Sequence, residues 1–308
     1  MSSSGSIGGL VSVALCTYNG QEHLSAQLES VLNQQGVELE VVVCDDASDD
    51  GTWPMVEQWA ARDSRVRAMR NPERLGVNRN FELALTRCRG EFIALCDQDD
   101  VWAPSKLRAT VPLLDHHIMG YCDSMFIDEQ GQPLGLRMSQ RVAMYQGSGV
   151  LPLCFWNSVS GHAMVFRREL LDHALPILDI GYHDWWLAAV AARVGSIGYV
   201  DQALVQYRQH ARSQTDAMQR KGTRRNSWTL YRQRAAWLER LAHAPGADQP
   251  YLQELSRLWT AREHQWFCPA LVAHMRRRAD ELMKLNSRER FSRFAFKQLW
   301  GQQWRRHS

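Results

Sequence analysis

FIALCDQDDVW, residues Phe92 to Trp102, is the stretch on which the reading of this chain turns. The apolar run Phe92-Ile93-Ala94-Leu95 reads as a buried strand. It ends in three carboxylates, Asp97, Asp99 and Asp100, interrupted only by Gln98. Like charges crowded at a strand end repel one another, so the arrangement favours a cation among them. A divalent metal on hard oxygen ligands, completed by phosphate oxygens of a substrate, accounts for all three. A helix starting near Pro104 would use one capping Asp, and three do not improve a cap.

Outward from this stretch, residues 10–123 alternate between strand and helix patterns. Strands are expected at Leu10–Cys16, Leu39–Cys44, Val66–Arg70 and Phe92–Cys96, and helices at Glu22–Gln34, Trp53–Arg62 and Asn78–Cys88. Regular alternation predicts an α/β fold, a Rossmann-like, mostly parallel sheet with helices on both faces. In such sheets ligands bind at the carboxyl ends of the strands. Three of these ends are polar: Thr17-Tyr18-Asn19, Asp45-Asp46-Ala47-Ser48, and Asp97 to Asp100. They are expected to converge on one crevice. A carboxylate such as Asp46 can accept a hydrogen bond from a uracil or thymine imide, and Tyr18 can stack on the ring.

The first turn, CTYNGQEHL, has one glycine and no GxGxxG, which argues against a dinucleotide-binding site, and there is no GxxxxGK[ST] loop. Beyond residue 123, Met125–Asp128 and Leu134–Met138 flank a Gln130-Gly131-Gln132 turn and read as a hairpin. SVSGHAMVF, Ser158 to Phe166, reads as a strand entered through glycine. GYHDWW leads from a loop into a helix with Asp184 at its start. Strands resume around Ile197–Tyr207 and end in Tyr207-Arg208-Gln209-His210.

The 308 residues hold one large α/β domain and an appendage. The seven cysteines are scattered, without a CxxC pair, and four of them lie in or beside apolar runs. That pattern fits a reducing cytosol rather than disulfides or zinc. The polar start, MSSSGSIGG, has no secretory pattern, and no apolar run is long enough to span a bilayer. Charge divides the chain. Residues 1–215 carry 17 Lys+Arg against 25 Asp+Glu, net −8, and residues 216–308 carry 19 against 8, net +11. Two segments with different partners are expected, a catalytic domain at 1–215 and a basic, aromatic-rich helical region at 216–308.

Taken in order, VALCTYNG, VVVCDDASDDGT, ERLGVNRNF, CDQDDVW, SGHAMVF, YHDWW and YRQH resemble the inverting family 2 glycosyltransferases of GT-A fold. The Asp-Gln-Asp-Asp-Val-Trp and His-Asp-Trp-Trp strings are most similar to bacterial rhamnosyltransferases, which use dTDP-L-rhamnose to build lipopolysaccharide or other surface glycans. The resemblance covers roughly residues 8–215. It implies that Thr17, Tyr18 and Asp46 hold the nucleotide base, and that Arg74, Gly76 and Asn80 line the nucleotide-sugar pocket. Asp97 and Asp99 match a DxD motif that binds ribose and the metal on the diphosphate. His210 matches a histidine that completes the metal site, with Mg²⁺ or Mn²⁺ as the cofactor. Asp184 matches the base that takes the proton of the acceptor hydroxyl. Gly161 and His162 match a loop facing the acceptor, and Trp185 and Trp186 are candidates for an aromatic floor under an acceptor sugar. Where family members carry an acidic pair, this chain has His183 before Asp184.

The resemblance thus implies transfer of a sugar, L-rhamnose first, to a glycan or lipid-linked glycan acceptor. Transfer of a hexose or N-acetylhexosamine is the rival within the class. A non-catalytic nucleotide-sugar-binding scaffold is the rival outside it, and the complete set Asp97, Asp99, Asp184 and His210 argues against that. The last segment, RERFSRFAFKQLWGQQWRR, mixes Phe291, Phe294, Phe296, Leu299, Trp300 and Trp304 with six basic residues. It reads as a helix on an anionic membrane surface, or as a helical lid. The expected location is cytoplasmic, peripheral on the inner face of the plasma membrane. No nucleic-acid-binding motif is recognised, and no nucleic acid is expected as a partner.

Overall fold

A computed structural model of the chain describes residues 8–177, 179–209, 227–244, 246–286 and 289–301. The N-terminal half runs β1 (Leu10–Thr17), α1 (Leu24–Leu32), β2 (Glu38–Asp45), α2 (Thr52–Arg62), β3 (Val66–Arg70), α3 (Val77–Arg87) and β4 (Phe92–Cys96). These are the expected elements, displaced by at most two residues at their ends. β1, β2 and β4 are buried almost throughout, as strands covered on both faces must be.

A two-residue strand, β5 (Val101–Trp102), and α4 (Lys106–Thr110) follow. The expected hairpin forms from β6 (Met119–Ile127) and β7 (Pro133–Arg137), which pair antiparallel. The stretch expected as one strand from Ser158 begins instead with a 3₁₀ turn at Gly161–Ala163, and β8 is confined to Met164–Arg167. Next come α5 (Leu171–Ala174), α6 (His183–Val194) and β9 (Ile197–Arg208).

One nine-stranded sheet results, ordered β3-β2-β1-β4-β8-β6-β9-β5, with β7 on β6. β3, β2, β1 and β4 are mutually parallel. Beyond β4 the sheet is mixed: β8 is antiparallel to both neighbours, β9 is parallel to β6, and β5 is antiparallel to β9. Register brings the catalytic edge together, because Thr17 pairs with Asp45 and Leu15 with Cys96. The three polar strand ends therefore emerge side by side.

The C-terminal helices are α7 (Ser227–His243), α8 (Gln249–Ala261), α9 (Pro269–Arg276), α10 (Ala279–Met283) and α11 (Phe291–Leu299). Their apolar faces join the core of the sheet domain. Trp237 is buried with its ring centroid 5.1 Å from Trp185 and 6.0 Å from Trp186. Phe294, in the segment read as a membrane-surface helix or a lid, packs 5.2 Å from Phe155 and 5.0 Å from Trp156, as a lid would. All seven cysteines are buried free thiols. Among the described residues no helix is long and apolar enough to cross a membrane.

Candidate active site

A cavity of about 1330 Å³ opens at the carboxyl ends of β1, β2 and β4, and most of the expected site residues line it. That volume exceeds the roughly 300–1,000 Å³ of a single-ligand pocket and leaves space for two substrates.

On the nucleotide side, the polar residues are fixed by one another. Gln98 reaches from the acidic turn to the end of β1. Its amide oxygen accepts from the Thr17 hydroxyl at 2.6 Å and the Tyr18 N–H at 2.8 Å, and its amide nitrogen donates to the Tyr18 carbonyl. Asp46 is 3% exposed and accepts from the Asn71 amide and the backbone N–H groups of Leu75 and Gly76, at 2.7–2.9 Å. A carboxylate has about four lone-pair sites, so Asp46 keeps one for a ligand while fastening the loop before α3. Gly76 starts that helix at φ 84°, a conformation that a side chain would strain. It supplies its N–H to Asp46 and is not part of the cavity lining, where the resemblance had set it. Asn80 bridges Asn71 and the Cys44 carbonyl. The Arg74 guanidinium lies 4.0 Å over the Tyr18 ring.

The acidic turn is anchored from below. The Arg208 backbone N–H donates to Asp100 Oδ1 at 3.0 Å, and its guanidinium donates to the carbonyls of Asp99, Asp128 and Glu129. Asp100 is fully buried and its Oδ2 has no hydrogen-bond partner. The His162 ring lies 3.9 Å from that oxygen, stacks on Tyr207 and hydrogen-bonds Ser124. His162, expected to face the acceptor, is 3% exposed and sits beside the carboxylates. Burial, then the Lys106 charge, push it down to about 3, so it is a neutral imidazole. Lys106 is itself buried, over the Trp102 ring at 3.1 Å, and donates to the His162 carbonyl.

Asp97, Asp100 and His162 bring one ligand atom each to within 4.8 Å of one another. Two carboxylates, one with an orphaned oxygen, and a neutral imidazole make a donor set that fits a divalent cation, Mn²⁺ especially. Asp99 lines the same cavity. His210, the third expected ligand, lies outside the described residues. Burial, then Asp99 and Asp184, raise Asp97 to about 7. Burial, then Asp99 and Asp97, raise Asp100 as well. Crowded acids of this kind are relieved by a bound cation.

Asp184 stands in the first turn of α6, behind an N-cap at Tyr182. Its carboxylate accepts the Gly161 N–H at 3.2 Å and the Trp185 N–H at 2.6 Å. Gly161 permits that approach, since a Cβ there would lie 3.3 Å from the Asp184 Cβ. Burial raises Asp184 to about 6 against the pull of these N–H groups. His183 lines the same cavity, stacked 3.9 Å from Phe81 with its Nε2 beside Gly161, and burial pushes it down to about 3. With that imidazole held neutral, Asp184 is the acid–base group at this helix end. Trp185 lines the cavity and donates to the Leu153 carbonyl. Trp186 does not line it. The residue is 2% exposed and its indole N–H donates to the Ala174 carbonyl, because the helical twist turns it into the core.

Residues 12–175, more than half of the chain, match the family described as glycosyl transferase family 2. The chain belongs to this family. An Escherichia coli member, the UDP-Glc:alpha-D-GlcNAc-diphosphoundecaprenol beta-1,3-glucosyltransferase WfaP, is 31% identical over 178 residues, covering 58% of this chain and 69% of its own. Uncharacterized mycobacterial relatives are 28% identical over 65% of this chain, which spans only 59% of their length. S. aureus TarS 1–349 in complex with UDP-GlcNAc superposes with a TM-score of 0.57 at 17% identity, covering 88% of this chain and 81% of that one. The mannosyltransferase PcManGT from Pyrobaculum calidifontis, in complex with GDP-Man and Mn²⁺, gives 0.52 at 22% identity, covering 87% and 74%. These structural likenesses establish a shared GT-A fold.

The family 2 motifs led directly to Asp46, Asp97, Asp99 and Asp184. Gln98, Lys106 and Arg208 were not singled out, although Gln98 and Arg208 stand inside quoted motifs. Arg234, which also lines the cavity, had no motif to mark it.

Proposed function

We propose that this protein is an inverting, metal-dependent glycosyltransferase that uses a nucleotide-sugar donor, with Asp184 as its base. The observation that carries the reading is Asp184 itself: a carboxylate with a raised pKa, held by the Gly161 N–H, close enough to Asp97 to raise that residue too. Donor diphosphate belongs by the acidic turn and acceptor hydroxyl by Asp184. Attack of the acceptor oxygen on the anomeric carbon breaks the sugar–phosphate bond. The electron pair leaves with the nucleoside diphosphate, and Asp184 takes the acceptor's proton. A divalent cation bound by Asp97, Asp100 and His162, with Asp99 beside them, would supply positive charge to the departing diphosphate. His210 remains a proposed further ligand. Thr17, Tyr18, Asp46, Arg74 and Asn80 hold the nucleotide. Gly161 and Trp185 face the acceptor.

For the donor sugar, the Asp-Gln-Asp-Asp-Val-Trp and His-Asp-Trp-Trp strings support L-rhamnose from dTDP-L-rhamnose and a role in lipopolysaccharide or other surface-glycan synthesis. The name of the E. coli relative supports a second reading, glucose from UDP-glucose on a lipid-linked acceptor. Residues 1–215 form the transferase unit in this reading, and residues 216–308 the basic helical region. The +11 charge of that region, with Trp266, Phe267 and Phe296 each more than half exposed, supports peripheral attachment to an anionic membrane.

Thermal stabilisation by a panel of nucleotide sugars, with Mg²⁺ or Mn²⁺ and with EDTA, tests the reading, since a ligand of the folded state raises stability by mass action. Metal-dependent stabilisation by one donor, followed by transfer from it, is expected. A panel with no stabilising donor contradicts it.

A further inference from the structure

The C-terminal helix α7 sends a cation into the cavity. Arg234 lines it together with Phe155, Trp156, Gly161, Asp184 and Trp185. Its guanidinium lies 5.3 Å from the Phe155 ring centroid and 4.9 Å from that of Trp185. It donates to the main-chain carbonyls of Cys154 and Phe155. Two of its five N–H donors are used in this way, and the others remain for a ligand.

Among the described residues no carboxylate pairs with Arg234. The Cys154 thiol is the one titratable group that acts on it, and burial pulls the guanidinium down to about 10. The guanidinium is half-buried, and a charge even partly removed from water without a counter-ion is costly to the fold. Two carbonyls could be satisfied by a neutral donor, so packing alone does not explain a cation here. A planar fork of donors on an aromatic wall suits an oxyanion attached to a stacked sugar. The acidic turn already provides for the diphosphate of the donor. The surroundings of Arg234 are those of the acceptor base, through Trp185, which follows Asp184 in the chain and stacks against the guanidinium.

We propose that Arg234 binds an anionic group, a phosphate ester or a carboxylate, carried by the acceptor next to the sugar that is glycosylated. This rests on the assignment of Asp184 as the acceptor's base and extends it to the acceptor's chemistry. The residue lies beyond 12–175, so the shared family segment does not contain it.

The test uses the full chain with UDP or dTDP and Mg²⁺ at saturation, so that the donor's diphosphate position is filled. Octyl diphosphate, octyl glucuronide and octyl glucoside, matched in chain length, are then titrated as probes. One of the two anionic probes should bind at least ten-fold more tightly than the neutral glucoside. Preference for the diphosphate identifies a glycosyl-diphosphate acceptor, and preference for the glucuronide an acidic sugar. Arg234→Gln should remove the preference, and Arg234→Lys, which keeps the charge but not the fork, should retain part of it. Should the Gln variant not fold, the Lys variant and the wild-type preference decide. Equal binding of charged and neutral probes by the wild type overturns the proposal, as does a preference that survives in Arg234→Gln. A variant that weakens only the nucleoside diphosphate assigns Arg234 to the donor and also overturns it. If no nucleoside diphosphate binds at all, it is the glycosyltransferase reading itself that fails.

Discussion

Asp46 and Arg234 line the same cavity and are held in different ways. Asp46 accepts three hydrogen bonds from the loop before α3, and its neighbours Thr17 and Tyr18 are tied to Gln98. These residues come from adjacent parallel strand ends, where register alone brings them together. Arg234 comes from a helix more than a hundred residues downstream of the acidic turn and rests on rings. In the proposed reading the donor side is thus built by the sheet, and the acceptor side by long-range packing of loops, α6 and α7. That reading has acceptor recognition change with the C-terminal helices while nucleotide binding stays as it is.

The largest expected effect falls where the two sides meet. Asp184→Asn keeps the shape and can still accept from one of the Gly161 and Trp185 N–H groups but cannot take a proton, so transfer should fall by roughly 10²–10⁴-fold. Donor affinity, measured by titration, should survive. Collapse of donor binding with normal residual turnover would make Asp184 a donor-side residue and break the comparison. Trp237→Ala removes the ring that covers Trp185 and Trp186, and should cost about 3–5 kcal/mol in a denaturant melt. A loss below about 1 kcal/mol would mean that the C-terminal helices do not shape the acceptor side.

On the donor side, Asp97→Asn should lower transfer by roughly 10²–10³-fold and abolish stabilisation of the donor complex by Mg²⁺ or Mn²⁺. Unchanged metal dependence would move the cation elsewhere. A smaller, graded effect is expected with pH. Asp184 and Asp97, at about 6 and about 7, lie above their unfolded values near 4. Each of these two carboxyls therefore keeps in the native, metal-free protein a proton that the unfolded chain has lost, and the stability it contributes falls as pH rises through its own value, while His162 and His183, pushed down to about 3, act in the opposite sense below about pH 6.5. Thermal melts in EDTA should fall less steeply with rising pH in Asp97→Asn than in the wild type, and saturating Mn²⁺ should remove that difference. Transfer should rise with pH through about 6 as Asp184 loses its proton.

How much of this was legible differs between the same two sides. β4 ended where the apolar run Phe92–Cys96 ended, since a strand covered on both faces has a plain signature. The acidic turn stood out because its charges have no use in a fold without a cation. Beyond β4 the signal weakened: β8 is four residues long, and Gly161 begins a 3₁₀ turn rather than a strand. Trp185 and Trp186 look alike in sequence, yet one helical step separates cavity from core. The family resemblance set His162 with the acceptor, and tertiary packing stacks it on Tyr207 beside Asp100, at the acidic end of the same cavity. Arg234 could not be read at all, because a single arginine in an amphipathic helix carries no mark of what it will face.

The central claim is that one carboxylate activates the acceptor for direct displacement at the anomeric carbon. It is tested most directly by the configuration of the product formed from the donor that stabilises the protein, read from the anomeric proton and carbon couplings by NMR. Inversion relative to the donor is the predicted result, since Asp184 takes a proton and forms no bond to the sugar. Retention of the donor's configuration would contradict it.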